Sequence, residues 1–282
     1  MAPIVHILFP TFDKPESARS LVRQLAGQTY RDFDVFCVDH GTAPVDFQPA
    51  ERERLTVVRA GAELWWTGAM NAGLERILAS AGDEDAVLTI NDDVEIGPDF
   101  LGALVAATAR QPRALVGSAC VDLRIGRLRY ADLQLDVLAA LVVSRHAGRS
   151  TDELPPGGAL PCDVLSCRGT LIPVRAFRDV GLFDARRLPH YTADYEFSWR
   201  ARRAGYRLVC AADARVGTDW GRRGTAKGDL VGYLLDRRRP GNLPATYEFA
   251  RLCFGGPYAL WFTALAGARL LAGFVLEKRG PR

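Results

Sequence analysis

Two adjacent carboxylates, Asp92 and Asp93, close an apolar run in VLTINDDVEIGPDF, with Asn91 just before them. Such side chains supply hard oxygen ligands of the kind that hold Mg2+ or Mn2+ against a substrate diphosphate. A cation held there would neutralise charge on a departing nucleoside diphosphate. The same pair can also be turn or helix-capping chemistry, so its meaning depends on the elements that position it.

Those elements are readable in outline. Residues 4–9 form a short apolar run ended by Pro10, and residues 16–26 show helical spacing through Ala18, Leu21, Val22 and Leu25 before Gly27. Residues 34–39 and 55–58 read as further strands, 68–80 as a helix carrying Met70, Leu74, Ile77 and Leu78, and 86–90 as a fourth strand. Pro98 sits where the first turn of a helix reaching about Ala109 accepts it. Strands and helices alternating at this spacing argue for a parallel α/β sheet whose ligands bind outside the carboxyl ends of the strands. Asp39 and the Asn91–Asp93 triplet then fall on one edge. Beyond residue 112 the pattern loosens into a mixed sheet: 114–121, 133–143 and 160–166 read as strands, 194–204 as a helix closed by Gly205, and 206–210 as a strand.

The chain of 282 residues is 48% hydrophobic and 24% charged, enough for a globular core and unlike a disordered or collagen-like chain. A net charge of +3 gives no reason to expect nucleic acid. That total hides an asymmetry: residues 1–199 carry 20 basic and 27 acidic side chains, residues 200–282 carry 16 and 6. The two parts are expected to meet different partners. Six cysteines lie in apolar stretches without zinc spacing, as reduced core residues of a cytosolic protein would. MAPIVHILFPTF lacks a basic n-region, and its apolar run is too short for a signal peptide. Near the other end, residues 258–276 (YALWFTALAGARLLAGFVL) carry one charge, Arg269. The length meets the minimum for a membrane span. A central Arg is costly in hydrocarbon, however, and the flanks are basic, as in a helix lying in a headgroup layer. Interfacial helix, packed or oligomer-forming helix and true span all stay open.

Five segments follow one another: PTFDKPE (10–16), QTYRDFDVFCVDHGTAP (28–44), LWWTGAMNAGLERIL (64–78), INDDV (90–94) and GLFDARRLPHYTADYEFSWRARRAGY (181–206). In this order they resemble the P-T-Y-N-R-P-E opening, the V-V-D-D-G-S-T-D segment, the G-x-x-x-A-x-N-x-G helix start, the DXD motif and the G-x-F-D-E…E-D-x-D-L segment of family 2 glycosyltransferases. Those are nucleotide-sugar-dependent enzymes of GT-A fold. The resemblance implies an α/β GT-A domain over residues 1–220, a Rossmann-like nucleotide-binding half with a mixed central sheet. A basic loop and C-terminal helices would then occupy 221–282.

Carried over by position, the resemblance implies that Pro10, Thr11 and Asp13 lie along the nucleotide base and that Asp39 accepts hydrogen bonds from base or ribose. Gly68 and Asn71 would open a helix whose free N–H groups favour a phosphate, with Trp66 or its neighbour Trp65 covering the nucleotide or sugar. Asp93 becomes the main metal ligand and Asp92 a ribose or outer partner, while Asn91 replaces the first carboxylate. Where the family often has a further His ligand, this chain has Gly217, Thr218 and Asp219. Asp194 becomes the base that removes the acceptor hydroxyl proton, ionised by its place near a helix N-terminus. Ala193 stands where the family has a glutamate. His190 and Glu196 fall on the acceptor side, Arg168 borders the sugar pocket, and residues 220–227 are either a lid over the diphosphate or a solvated basic loop.

The implied function is inverting hexosyl or deoxyhexosyl transfer, assisted by Mn2+ or Mg2+, from a nucleoside-diphosphate sugar to a hydroxyl of a glycan or lipid-linked acceptor in cell-surface polysaccharide biosynthesis. Its expected place is cytoplasmic or peripheral at the inner face of the membrane, with an anionic membrane surface or a second copy meeting the C-terminus, and no nucleic acid. Two rivals stand beside it. One is a non-catalytic nucleotide-sugar-binding module. The other, nucleotidyl transfer, wants a glycine- and basic-rich phosphate loop after the first strand, which PTFDKPE lacks.

Overall fold

A strand buried along its whole length needs neighbours on both edges and layers on both faces, and β1 (Val5–Thr11) is buried at all seven positions. The computed structural model describes residues 3–219 and 229–278. After β1 come α1 (Pro15–Ala26), β2 (Phe33–Asp39), β3 (Leu55–Arg59), α2 (Trp65–Leu78), β4 (Ala86–Thr89), β5 (Glu95–Ile96) and α3 (Phe100–Arg110). The second half holds β6 (Ala114–Asp122), β7 (Arg127–Tyr130), β8 (Leu133–Asp136), β9 (Leu141–Ser144), β10 (Ala159–Pro161), β11 (Thr170–Pro173), α4 (Val174–Val180), α5 (Ala193–Arg203) and β12 (Arg207–Thr218). The helices α6 (Leu230–Leu235), α7 (Leu243–Phe254) and α8 (Gly256–Lys278) close the chain.

The main sheet runs β10-β12-β6-β11-β4-β1-β2-β3, with β5 paired to β12 and β7 to β6. Its first half is parallel, β3 to β2 to β1 to β4. The turn to a mixed sheet comes at β11, which is antiparallel to both β4 and β6. One face carries α1 and α3 through Leu21, Leu25, Leu101 and Leu104. The other carries α2, α5, α7 and the start of α8 in a single core that includes Met70, Leu74, Phe197, Phe249 and Phe262. The basic C-terminal third therefore shares a core with the acidic sheet. Helix α2 lies so close to the sheet that a Cβ on Gly73 would come within 2.3 Å of Leu8 and 2.8 Å of Val38. The glycine of the N-x-G segment is there to let helix and strands meet.

Several boundaries differ from the sequence expectation. Pro10 does not end β1 but lies inside it, past the last β4 partner Leu8, where a missing N–H leaves no ladder bond unmade on that edge. Helix α2 begins at Trp65, three residues before Gly68. Residues 133–143 form two strands, because Asp136 caps Ala139 N–H at 2.8 Å and Ala140 takes φ +50°, turning the chain without Gly or Pro. β12 does not close at Cys210 as expected but runs through a bulge to Thr218, 12 residues in all. The 220–227 loop lies outside the described residues, apart from the sequence facts above.

Candidate active site

The carboxyl ends of β1, β2 and β4 open side by side, and their loops are tied together. Asp13, at φ +51°, accepts from Thr42 N–H at 2.7 Å and its hydroxyl at 3.0 Å. Gly41 lies against that carboxylate so tightly that a Cβ would sit 2.7 Å from Asp13 Oδ1. Asp39 shapes the same loop: Val45 N–H donates to it at 2.7 Å, Gly41 N–H at 3.2 Å, and the Arg59 guanidinium pairs with it at 2.7 Å. At 1% exposure Asp39 is partnered within the protein, where its carboxylate organises the loop. Pro10 and Thr11 are likewise buried residues of β1. Thr11 donates its hydroxyl to Asp92 Oδ2 at 2.8 Å.

At the end of β4 the three consecutive polar residues go three ways. Asn91 Oδ1 accepts from Trp66 Nε1 at 3.1 Å, while the Trp66 ring packs on Phe183. Asp92 is held by Thr11, and its burial pushes its pKa up against that hydrogen bond. Asp93 is 38% exposed in its side chain and meets Arg168 Nη1 at 2.9 Å. The residue before that arginine reaches the second acidic group, for Cys167 N–H donates to Asp194 Oδ2 at 3.2 Å. Residues 167 and 168 thus link Asp93 and Asp194, a hundred residues apart in the chain.

Asp194 stands in the first turn of α5, its other oxygen accepting from Tyr195 N–H at 2.9 Å. Burial raises its pKa, opposed by the two backbone N–H groups and by the charge of Arg168. Desolvation therefore outweighs the helix terminus that was expected to ionise it. Preceding α5, Thr192 adopts a left-handed conformation at φ +65°, which turns the chain sharply into the helix.

The remaining expected residues divide. Gly68 sits inside α2, where a Cβ would touch Leu64 at 3.0 Å, and so is not at the helix start. Asn71 spends both ends of its amide on Phe183, donating to its carbonyl at 2.8 Å and accepting from its N–H at 3.1 Å. It fastens the 181–190 loop to α2 through one of its two N–H donors and its carbonyl oxygen. Glu196 is turned inward, paired with Arg200 at 2.9 Å while Arg200 also donates to the carbonyls of Val180 and Leu182. It holds α5 to the end of α4 and does not face an acceptor.

His190 is part-buried, its ring packed on Trp65 and Tyr191. Burial together with the charge of His40 lowers its pKa. Beside it, a cavity of about 180 Å³ is lined by His190, Tyr191, Arg187, Arg237, Tyr247 and Glu248.

Sequence reasoning passed over three contributors. His40, 6% exposed, follows Asp39, packs against Phe12 and leaves Nδ1 without a hydrogen-bond partner. Its signal was the D-H-G spelling where the family has D-D-G. Arg59, at the end of β3, neutralises Asp39. The Cys167 N–H is a backbone group and has no spelling at all.

Among the described residues no cluster of three His, Cys, Asp or Glu could hold a metal alone. The donor set still fits a divalent cation of the kind bound by one carboxylate together with substrate phosphate oxygens: Asp93 is a partly exposed carboxylate at the strand end, with Asp92 beside it. All six cysteines are buried thiols, and none enters the set.

Residues 6–156 match the sequence profile of the family described as glycosyl transferase family 2. A comparison with curated proteins finds no match. Among solved structures, GalNAc-T7 in a crystal with UDP, GalNAc and Mn2+ superimposes at a TM-score of 0.63 with 14% identity over 89% of this chain. The chain spans 47% of that protein. The mannosyltransferase PcManGT from Pyrobaculum calidifontis, in complex with GDP-Man and Mn2+, gives 0.54 at 16% identity over 98% of this chain and 80% of its own. S. aureus TarS gives 0.56 at 15% identity, over 98% of this chain and 43% of its own. At these identities the likeness establishes the fold.

Proposed function

The chain belongs to glycosyl transferase family 2 and has the GT-A fold, and from that premise we propose that it is an inverting glycosyltransferase. It takes a hexosyl or deoxyhexosyl group from a nucleoside-diphosphate sugar and passes it to a hydroxyl of a lipid-linked or cell-surface glycan. The observation that carries this reading is the link between Asp93 and Asp194 through Arg168 and Cys167.

Asp194 is the base. It removes the acceptor hydroxyl proton as that oxygen attacks C1 of the sugar, and the bond from C1 to the diphosphate oxygen breaks on the opposite face. A carboxylate whose pKa burial has raised binds that proton more strongly than a solvated one. Arg168 lies beside both carboxylates, where its guanidinium counters charge on the departing diphosphate. A divalent cation, Mn2+ or Mg2+, held by Asp93 with Asp92 nearby and completed by the donor's phosphates, would supply further neutralisation there. The two relatives crystallised with Mn2+ support this part of the reading. His190 and the cavity beside it form the acceptor side. We divide the chain functionally near residue 220, with transfer in 1–220 and an orienting segment in 221–282 that keeps it at the inner face of the membrane.

The test is Asp194→Asn. A nucleoside diphosphate or its sugar should still raise the melting temperature, since ligands that bind only the folded form stabilise it. Transfer, or slow donor hydrolysis, should fall roughly 10²- to 10⁴-fold. Undiminished hydrolysis would remove Asp194 from the base position, and stabilisation by no nucleotide or nucleotide sugar would remove the donor reading.

A further inference from the structure

The described surface gathers its large apolar side chains in one region. Of the 17 large hydrophobics that are exposed, 12 belong to α6, α8 and the β8–β9 hairpin. Helix α8 is one-sided: Ala259, Phe262 and Phe274 are buried, with Phe262 against Phe249 and Phe254 and Phe274 against Tyr233. Its outward positions are Leu260, Trp261, Ala264, Ala268, Leu271 and Val275, all exposed and falling on one helical stripe. The stripe runs for about 23 Å at 1.5 Å per residue. Arg269, the one charge between Tyr258 and Leu276, is drawn off the stripe, its guanidinium donating to the carbonyls of Ala139 and Ala140 at the hairpin tip. Trp261 Nε1 holds the same tip through Leu138 O at 3.3 Å, and the Leu138 side chain stands 78% exposed beside it.

Each apolar segment of this region ends in basic residues. On β9 the exposed Leu141 and Val143 lead to exposed Arg145, and on α6 Val231 and Leu235 lead through Asp236 to Arg237 and Arg238. Leu276 of α8 is followed in sequence by Glu277, Lys278 and Arg279. We propose that the outward faces of α6, α8 and the β8–β9 hairpin are one docking surface for an anionic lipid bilayer, with α8 lying in the headgroup layer. A span is disfavoured because it would strip Arg269 from two carbonyls and expose the face packed on α7. A second copy is disfavoured because a two-fold contact sets each patch against itself. The exposed basic flanks of the patch, Arg145, Arg237 and Arg238, would then face their own charge, whereas anionic headgroups attract it.

This surface gives the lipid-linked acceptor of the reading above its membrane, and the two can fail separately: donor hydrolysis reports on the cleft, vesicle binding on the surface. The full chain is floated with vesicles of phosphatidylcholine alone or mixed with phosphatidylglycerol. It should float with the mixed vesicles, less so in high salt, and weakly with the neutral ones. Leu260→Glu with Leu271→Glu should weaken binding at least about tenfold. Val231→Glu should weaken it independently, Ile125→Glu on another exposed site should not, and all should keep donor hydrolysis. The proposal is overturned by a wild-type chain that floats with neither vesicle or equally with both, or by charged variants that float as wild type does. A wild-type dimer in solution that Leu260→Glu with Leu271→Glu splits, without flotation, would overturn it in favour of self-association.

Discussion

Arg168 is the residue through which the two carboxylates of the cleft feel each other. It touches Asp93 at 2.9 Å, and its charge opposes the burial that raises the Asp194 pKa. Replacing it by Met removes a cation that favours the ionised carboxylate, so the Asp194 pKa rises further. The acidic limb of the kcat/KM profile should therefore move to higher pH in Arg168→Met, with activity on the plateau lower by roughly 10²-fold. Arg168→Lys should return the limb toward wild type but recover only part of the rate, because an ammonium lacks the planar fork. A limb that stays put, or moves to lower pH, would separate Arg168 from Asp194.

At this scale the sequence carries residue types but not their allegiances. Asp92, Asp93 and Asp194 could be picked out by spelling, and Cys167 with Arg168 links the last two. Glu196 could also have been sorted, since its i,i+4 spacing to Arg200 is that of a helix-surface pair. Asn71 could not, because its partner Phe183 lies 112 residues away in the chain.

Between elements, the parallel half of the sheet is pinned at the end opposite the cleft by His6 of β1. Its ring meets Asp34 of β2 at 2.8 Å and Asp85, just before β4, at 3.5 Å. Burial by itself would lower the His6 pKa, but the two carboxylates outweigh it and the net shift is upward. A histidine whose pKa is higher folded than unfolded stabilises the protein fully below the unfolded value, about 6.5. That stabilisation is lost as the pH rises through the folded value. The melting temperature of wild type relative to His6→Gln should therefore be highest below about pH 6.5 and should shrink toward pH 8. A difference that grows with pH over this window would contradict the pairing.

The strands around His6 were legible because buried parallel strands are continuous apolar runs, and β1, β2 and β4 each break at a polar residue on the cleft edge. The β8–β9 hairpin was not: LQLDVLAALVV reads as one long strand because its turn is made by Asp136 and Ala140, without the Gly or Pro that usually marks one. Helix α7 carried a fair signal in Asn242, whose side chain caps Ala245 N–H at 3.0 Å ahead of Pro244. It was obscured by the basic residues just upstream.

For the whole molecule, the decisive connection is between the C-terminal helix and the β8–β9 hairpin, a two-stranded sheet of its own. Hydropathy alone left α8 as span, surface helix or packed helix. The packed face toward α7 and the clasp of Arg269 on the hairpin tip come from the fold, since the carbonyls of Ala139 and Ala140 lie some 130 residues earlier in the chain. A guanidinium has five donors and reaches two adjacent carbonyls in a way no apolar residue can copy. Arg269→Ala should therefore free the hairpin without opening the core, lowering stability by about 1–2 kcal/mol, as expected for hydrogen bonds from a charged donor at a partly exposed site. Amide exchange should quicken in residues 133–144 and stay unchanged in β1, β2 and β4, whose protection depends on the central core. Faster exchange throughout the sheet would mean that α8 supports the entire fold through this residue, and unchanged exchange in the hairpin would mean that the clasp does not hold it.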